Sequence, residues 1–131
     1  MDKQFEKVRD YLLELDFNII QEDPEDAVLW VENEDAGISN LFIGCADPIL
    51  IMEQFIFELK SENADTMKKL LIKNRDIIHG AFALDETGKK VIFRDTLQLE
   101  NLDLNEIEGS LNSLSLLLSE FSDELIEFSK I

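Results

Sequence analysis

Residues 70–104 read LLIKNRDIIHGAFALDETGKKVIFRDTLQLENLDL. Two runs of β-forming residues, Ile78–Leu84 and Val91–Arg94, flank Asp85-Glu86-Thr87-Gly88. Gly88 falls where a tight turn needs a left-handed backbone, which glycine adopts without steric penalty. The stretch predicts a hairpin. Met67, Leu70 and Leu71 precede it at helical spacing, with Asn63 or Asp65 placed to cap that helix and Asn74 near its end.

On the C-terminal side, Asp103 and Glu106 stand in the D-x-x-E arrangement of a capping box. Ile107, Leu111, Leu114, Leu118, Phe121, Leu125 and Phe128 then alternate steps of four and three, predicting one long helix with a single apolar seam. Such a seam can pack on a sheet or form a coiled coil, and a sheet is at hand. Leu116 falls off the seam and is a candidate exposed contact.

On the N-terminal side, Phe5, Val8, Leu12 and Leu15 repeat at helical spacing among charged residues, giving an amphipathic first helix that Asp16 ends. Phe17–Gln21 reads as a short strand. Asp23-Pro24-Glu25-Asp26 is a turn, followed by the strand AVLWV at 27–31. Further turns at Asp35-Ala36-Gly37 and Asp47-Pro48 delimit strands Ile38–Cys45 and Ile49–Phe57. Short connections between successive strands imply antiparallel pairing. The expected fold is α+β: an antiparallel sheet with helices packed on one face, in the order α-β-β-β(-β)-α-β-β-α, as a single domain over residues 1–131.

Charge narrows the function. The chain carries 29 acids against 12 bases, a net charge of −17. Repulsion from phosphate argues against nucleic acid and anionic membrane as partners. The charge is also segregated: residues 1–35 hold 12 acids and three bases, whereas residues 60–94 hold eight bases and five acids. Cys45 is the sole cysteine, so no internal disulfide forms, and the opening MDKQFEKVRD lacks the apolar region of a signal peptide. Both point to the cytoplasm.

Candidate chemistry is sparse. His79 is the only histidine, so metal or Cys-His-Asn sites would depend on Cys45 and His79 meeting in unusual roles. Cys45, in FIGCAD, has Asp47 nearby, not the electropositive setting that activates a thiol. Asp23, Glu25 and Asp26 do not follow calcium-loop spacing, and the Walker, G-x-G-x-x-G and G-x-S-x-G patterns are missing. The reading is non-enzymatic, with no metal and no cofactor.

The 70–104 segment resembles the YbjN-type domain, which is grouped with the type III secretion chaperone-like fold of the Tir chaperones. The likeness lies in the leucines ending a helix at Asn74, the strand ending GAFALD, the glycine turn, and VIFRDTLQLENLD leading into a long helix. The resemblance implies an α-β-β-β-α-β-β-α fold, homodimers, and, in the secretion chaperones, a partly unfolded effector wrapped over the surface.

The expected function is therefore a chaperone-like or regulatory module that binds a protein or peptide client through apolar surface. The alternative is an acidic immunity or inhibitor protein that neutralises a basic toxin. Ile49, Ile51, Phe55 and Phe57 share parity on a strand apolar on both faces and are, with Leu116, the candidate contacts. An ordinary core strand would show the same pattern. The two-faced strand also leads us to expect a homodimer.

Overall fold

The computed structural model describes residues 2–131. The chain runs α1 (Lys3–Glu14), β1 (Asn18–Asp23), β2 (Val28–Asn33), β3 (Ile38–Ala46), β4 (Ile49–Glu58), α2 (Ala64–Lys73), β5 (Ala81–Leu84), β6 (Lys90–Gln98), α3 (Leu104–Glu120) and α4 (Ser122–Ser129). The strands form one sheet in the order β1-β2-β3-β4-β6-β5, and every neighbouring pair is antiparallel. The first four strands form a meander. The chain then leaves through α2, lays β5 at the edge, and turns back to place β6 beside β4.

Local chemistry sets the helix starts. Asp2, Asn63 and Asp103 each accept a backbone N–H of the first turn through their side chains, at 3.0, 3.0 and 2.8 Å. Each such cap contributes about 1 kcal/mol. The sheet buries Leu29, Val31, Leu41, Ile43, Leu50, Met52, Val91 and Phe93 against Phe5, Val8 and Leu12 of α1 and Ile107, Leu111 and Leu114 of α3. Phe57 and Phe128 extend this core under α4, with ring centroids 6.5 Å apart. The helices therefore cover one face of the sheet, as the sequence pattern predicts, and the optional fourth strand of the meander is present.

Three features depart from the sequence reading. The C-terminal helix breaks at Phe121 into α3 and α4. Its seam also moves: Leu117 is buried and Leu118 only partly so. A repeat of 3.5 residues drifts around a helix of 3.6, so a long straight helix would carry Leu125 and Phe128 off the sheet; the break returns them to it. Second, β5 begins at Ala81, not Ile78, which leaves His79 outside the strand. Gly80 interrupts the extended backbone with φ +83°, and a Cβ there would lie 2.4 Å from the Phe93 ring. Third, β4 contains a bulge between Phe55 and Phe57: Phe55 faces Ile92 and Phe57 faces Val91, so Ile56 has no counterpart on β6. A single extra residue switches every later side chain to the opposite face.

The two sheet edges differ. At β5 the Asn74 carboxamide accepts the Phe82 N–H at 2.7 Å and donates to the Phe82 carbonyl at 3.2 Å. One side chain thus makes the pair of bonds that a neighbouring strand residue would make. At β1 the edge is irregular and acidic, with a register shift between Ile19 and Gln21 followed by Glu22 and Asp23. Glu22 is also held to α1 by a 2.7 Å ion pair with Arg9.

Candidate functional site: the open face of the sheet

Side chains alternate across a strand, so the residues between the buried ones point away from the helices. Register places Trp30 opposite Phe42, Phe42 opposite Glu53, and Glu53 opposite Arg94. One row further along, Val28, Gly44, Ile51 and Thr96 align; on the other side, Phe55 aligns with Ile92 and Ala83. The result is an apolar, partly aromatic field crossed by one ion pair between Glu53 and Arg94. Trp30 and Phe42 meet edge to face at 5.4 Å, a geometry that adds roughly 0.5–1.5 kcal/mol beyond burial. Gly44 leaves room for the Phe42 ring, whose atoms lie 3.1 Å from where a Cβ would sit. Lys90 Nζ stands 5.9 Å from the centroid of Phe55.

The candidate residues separate on this framework. Ile49 and Ile51 are half-buried on the open face, and Phe55 is 52% exposed beside them. Phe57 is not with them: the bulge at Ile56 turns it to the helix side, where it is only 6% exposed. Leu116 is 52% exposed on α3, on the other side of the molecule from that field. Trp30, Phe42 and Ile92 join the open face without having been singled out. The run AVLWV is apolar at every position, so alternation could not tell which of its residues face outward.

A second apolar depression lies between α2 and the β5–β6 hairpin, with a volume of about 170 Å³ and walls that include Met67, Leu71, Phe82 and Leu84. No group of three or more histidine, cysteine or acidic side chains fit to hold a metal exists among the described residues. Cys45 lies on the helix side, half-buried, and burial together with the charge of Asp2 pushes its thiol up to about 11. A thiol so placed is protonated at neutral pH and a poor nucleophile. His79 is exposed, and its backbone N–H and carbonyl both bond the Ser113 hydroxyl, at 3.2 and 2.8 Å. Cys45 and His79 have no part in a common constellation.

The CesT_Tir_1 family model matches residues 1–131. The chain belongs to this type III secretion chaperone family. Solved structures agree with the fold. The crystal structure of YbjN from E. coli, a candidate transcription regulator, superposes with a TM-score of 0.70 at 14% identity, covering 92% of each chain. The HopA1–SchA chaperone–effector complex matches at 0.62 and 10% identity, over 100% of this chain and 99% of the other. The Yersinia pestis type III secretion chaperone SycH, solved with a stable fragment of YscM2, matches at 0.57 and 14% identity, over 97% and 100%. No curated protein matches by sequence. No described helix of this family member is long and apolar enough to cross a membrane.

Proposed function

We propose that the chain is a non-enzymatic, cytoplasmic chaperone that holds a partly extended protein client against apolar surface on an acidic scaffold. Family membership over the whole length supports a protein-binding chaperone role. The observation that carries the finer reading is the open sheet face, where Trp30, Phe42 and Ile51 lie on the side away from the helices and Phe55 is exposed at its border, next to the groove that α4 lines. An uncovered aromatic field of this kind marks an interaction surface. The net charge of −17 favours a client richer in lysine and arginine and repels nucleic acid, which weighs against DNA binding of the kind a transcription regulator needs. The same field is the proposed contact surface of a homodimer when no client is bound.

Trp30 is the only tryptophan, so its emission reports on the face directly. Titrating the protein with whatever polypeptide co-purifies from its native cytoplasm should shift Trp30 emission to the blue. Phe55→Glu, at an exposed position that tolerates charge, should weaken that binding about tenfold. A client that binds with Trp30 emission and the Phe55→Glu affinity both unchanged would refute the open-face reading. Turnover of a metabolite that disappears on changing Cys45 or His79 would refute the non-enzymatic one. Sedimentation that shows only monomer at high micromolar concentration would reject the homodimer.

A further inference from the structure

The last helix is held far more lightly than the one before it. Of its eight residues α4 buries Leu125 and Phe128, whereas α3 buries Ile107, Ser110, Leu111, Leu114 and Leu117. Phe121, at φ −104° and ψ 7°, both ends α3 and begins α4, and no side chain caps the start of α4 among the described residues. A helix this short, uncapped and with so narrow an apolar stripe, persists only while it is docked.

Beneath it the sheet is incomplete. The β3–β4 pairing stops at Phe42↔Glu53, so Gln54–Glu58 has a strand partner on the β6 side alone among the described residues. A groove of about 270 Å³ lies there, with Gln54 and Phe57 on the β4 side and Ser122, Leu125 and Ser129 on the α4 side. Gln54 is only 7% exposed, and its Nε2 donates to the Phe55 carbonyl at 3.1 Å. Its Oε1 is sealed from solvent, and no donor among the described residues reaches it. The docked arrangement alone leaves that acceptor unpaired, because moving α4 admits water to it.

One side chain counters this at the bend. Lys73, the last residue of α2, places Nζ 2.7 Å from Glu124 Oε2 in the first turn of α4 and 4.6 Å from the centroid of the Phe121 ring. The Lys73 side chain is 15% exposed, so its charge is largely desolvated and both contacts strengthen. Phe121 in turn packs on Phe82, with ring centroids 6.4 Å apart. The far end is held by Phe128 against Phe57 and by a 3.4 Å bond from Ser61 Oγ to the Ile131 carbonyl.

We propose that α4 is a hinged cover, which swings away from β4 about Phe121 while the rest of the domain stays folded, with Lys73 as the latch that holds it shut. Opening lays bare Phe57 and hydrates Gln54, next to the exposed Phe55 at the border of the open sheet face. On the chaperone reading above, the cover sets how much apolar surface the protein shows. The motion itself does not depend on that reading.

Amide hydrogen exchange of the whole protein tests the motion with no client present. Amides 125–129 should exchange at least about a hundredfold faster than that of the fully buried Phe93, and with little dependence on urea, while Phe93 follows global unfolding. Lys73→Met keeps an apolar contact with Phe121 but removes the charge, and should speed exchange at 125–129 about tenfold. Gln54→Leu leaves nothing to hydrate and should slow the same amides about tenfold. Asp103→Ala removes the cap of α3, which stays in place when α4 opens, so it should speed Phe93 about fivefold and leave 125–129 unchanged. The cover is overturned if 125–129 and Phe93 share one rate and one urea dependence, since α4 then opens only with the whole fold. It is also overturned if Lys73→Met leaves 125–129 unchanged, if Gln54→Leu fails to slow them, or if Asp103→Ala speeds them as much as it speeds Phe93. Each of these results leaves the proposed function standing, because it would not touch the binding of a client to the open face.

Discussion

Asn74→Ala isolates the device that closes one edge of the sheet. The substitution removes the acceptor at 2.7 Å from the Phe82 N–H and the donor at 3.2 Å from its carbonyl. Phe82 is largely buried, so water replaces these partners poorly. Two bonds at roughly 0.5–1.5 kcal/mol each, together with incomplete rehydration, give an expected loss of about 2 kcal/mol. With a urea m-value of about 2 kcal/mol/M for a chain of this size, the midpoint should fall by about 1 M. Local exchange supplies a second readout, because the Phe82 amide should lose protection before β6 does. Asn74→Asp retains an acceptor but places a carboxylate beside the Phe82 carbonyl, and should be no better than alanine. A midpoint within about 0.3 M of the parent, with Phe82 protection intact, would refute the claim that the carboxamide stands in for a strand.

Gly80→Ala should be more damaging than its size suggests. The added Cβ meets the Phe93 ring at 2.4 Å and the backbone must hold φ +83°, so a loss of about 3 kcal/mol is expected in urea melts. Gly88→Ala, at φ +73° but in open space, should cost less, and equal losses would contradict the steric argument. For Cys45 the folded chain keeps a proton that the unfolded chain releases, since its thiol is raised from 9.0 to about 11. Stability attributable to this group is therefore constant below pH 9 and falls as pH rises from there through about 11. Cys45→Ala should flatten the stability profile in that window relative to the parent. Alkylation of the native thiol should likewise stay slow until the pH approaches 11, and fast modification at pH 8 would refute the burial argument.

The helices, turns and strand count were legible in the chain because each depends on short-range chemistry. Asp103 caps where its spacing says it does, Asn63 is the cap of the two candidates Asn63 and Asp65, and Gly88 turns the hairpin at φ +73°. What escaped was register. Nothing in ILIMEQFIFE distinguishes a straight strand from one with an extra residue at Ile56, since both faces are apolar. The bulge is decided by how β4 must curve to accompany β6, and with it the fate of Phe57. The same holds for the helix break: Phe121 fits the seam perfectly well in sequence, and only the distance the helix must run across the sheet turns α4 away. Gln54 is buried on β4, but Glu53 and Gln54 are adjacent polar residues on a strand apolar on both faces, so sequence alone does not tell which of the two faces inward.

The unequal treatment of the sheet's two borders limits how copies of this chain can join. A ribbon that grows without end needs a donor border on one molecule and a receptive border on the next. Here Asn74 occupies the middle of β5, so that side offers no template. Of the two outer strands, joining through main-chain bonds is left to β1, and two β1 borders can meet only about a two-fold axis. Such a pairing uses up both borders at once, so it stops at two molecules instead of propagating into a fibre.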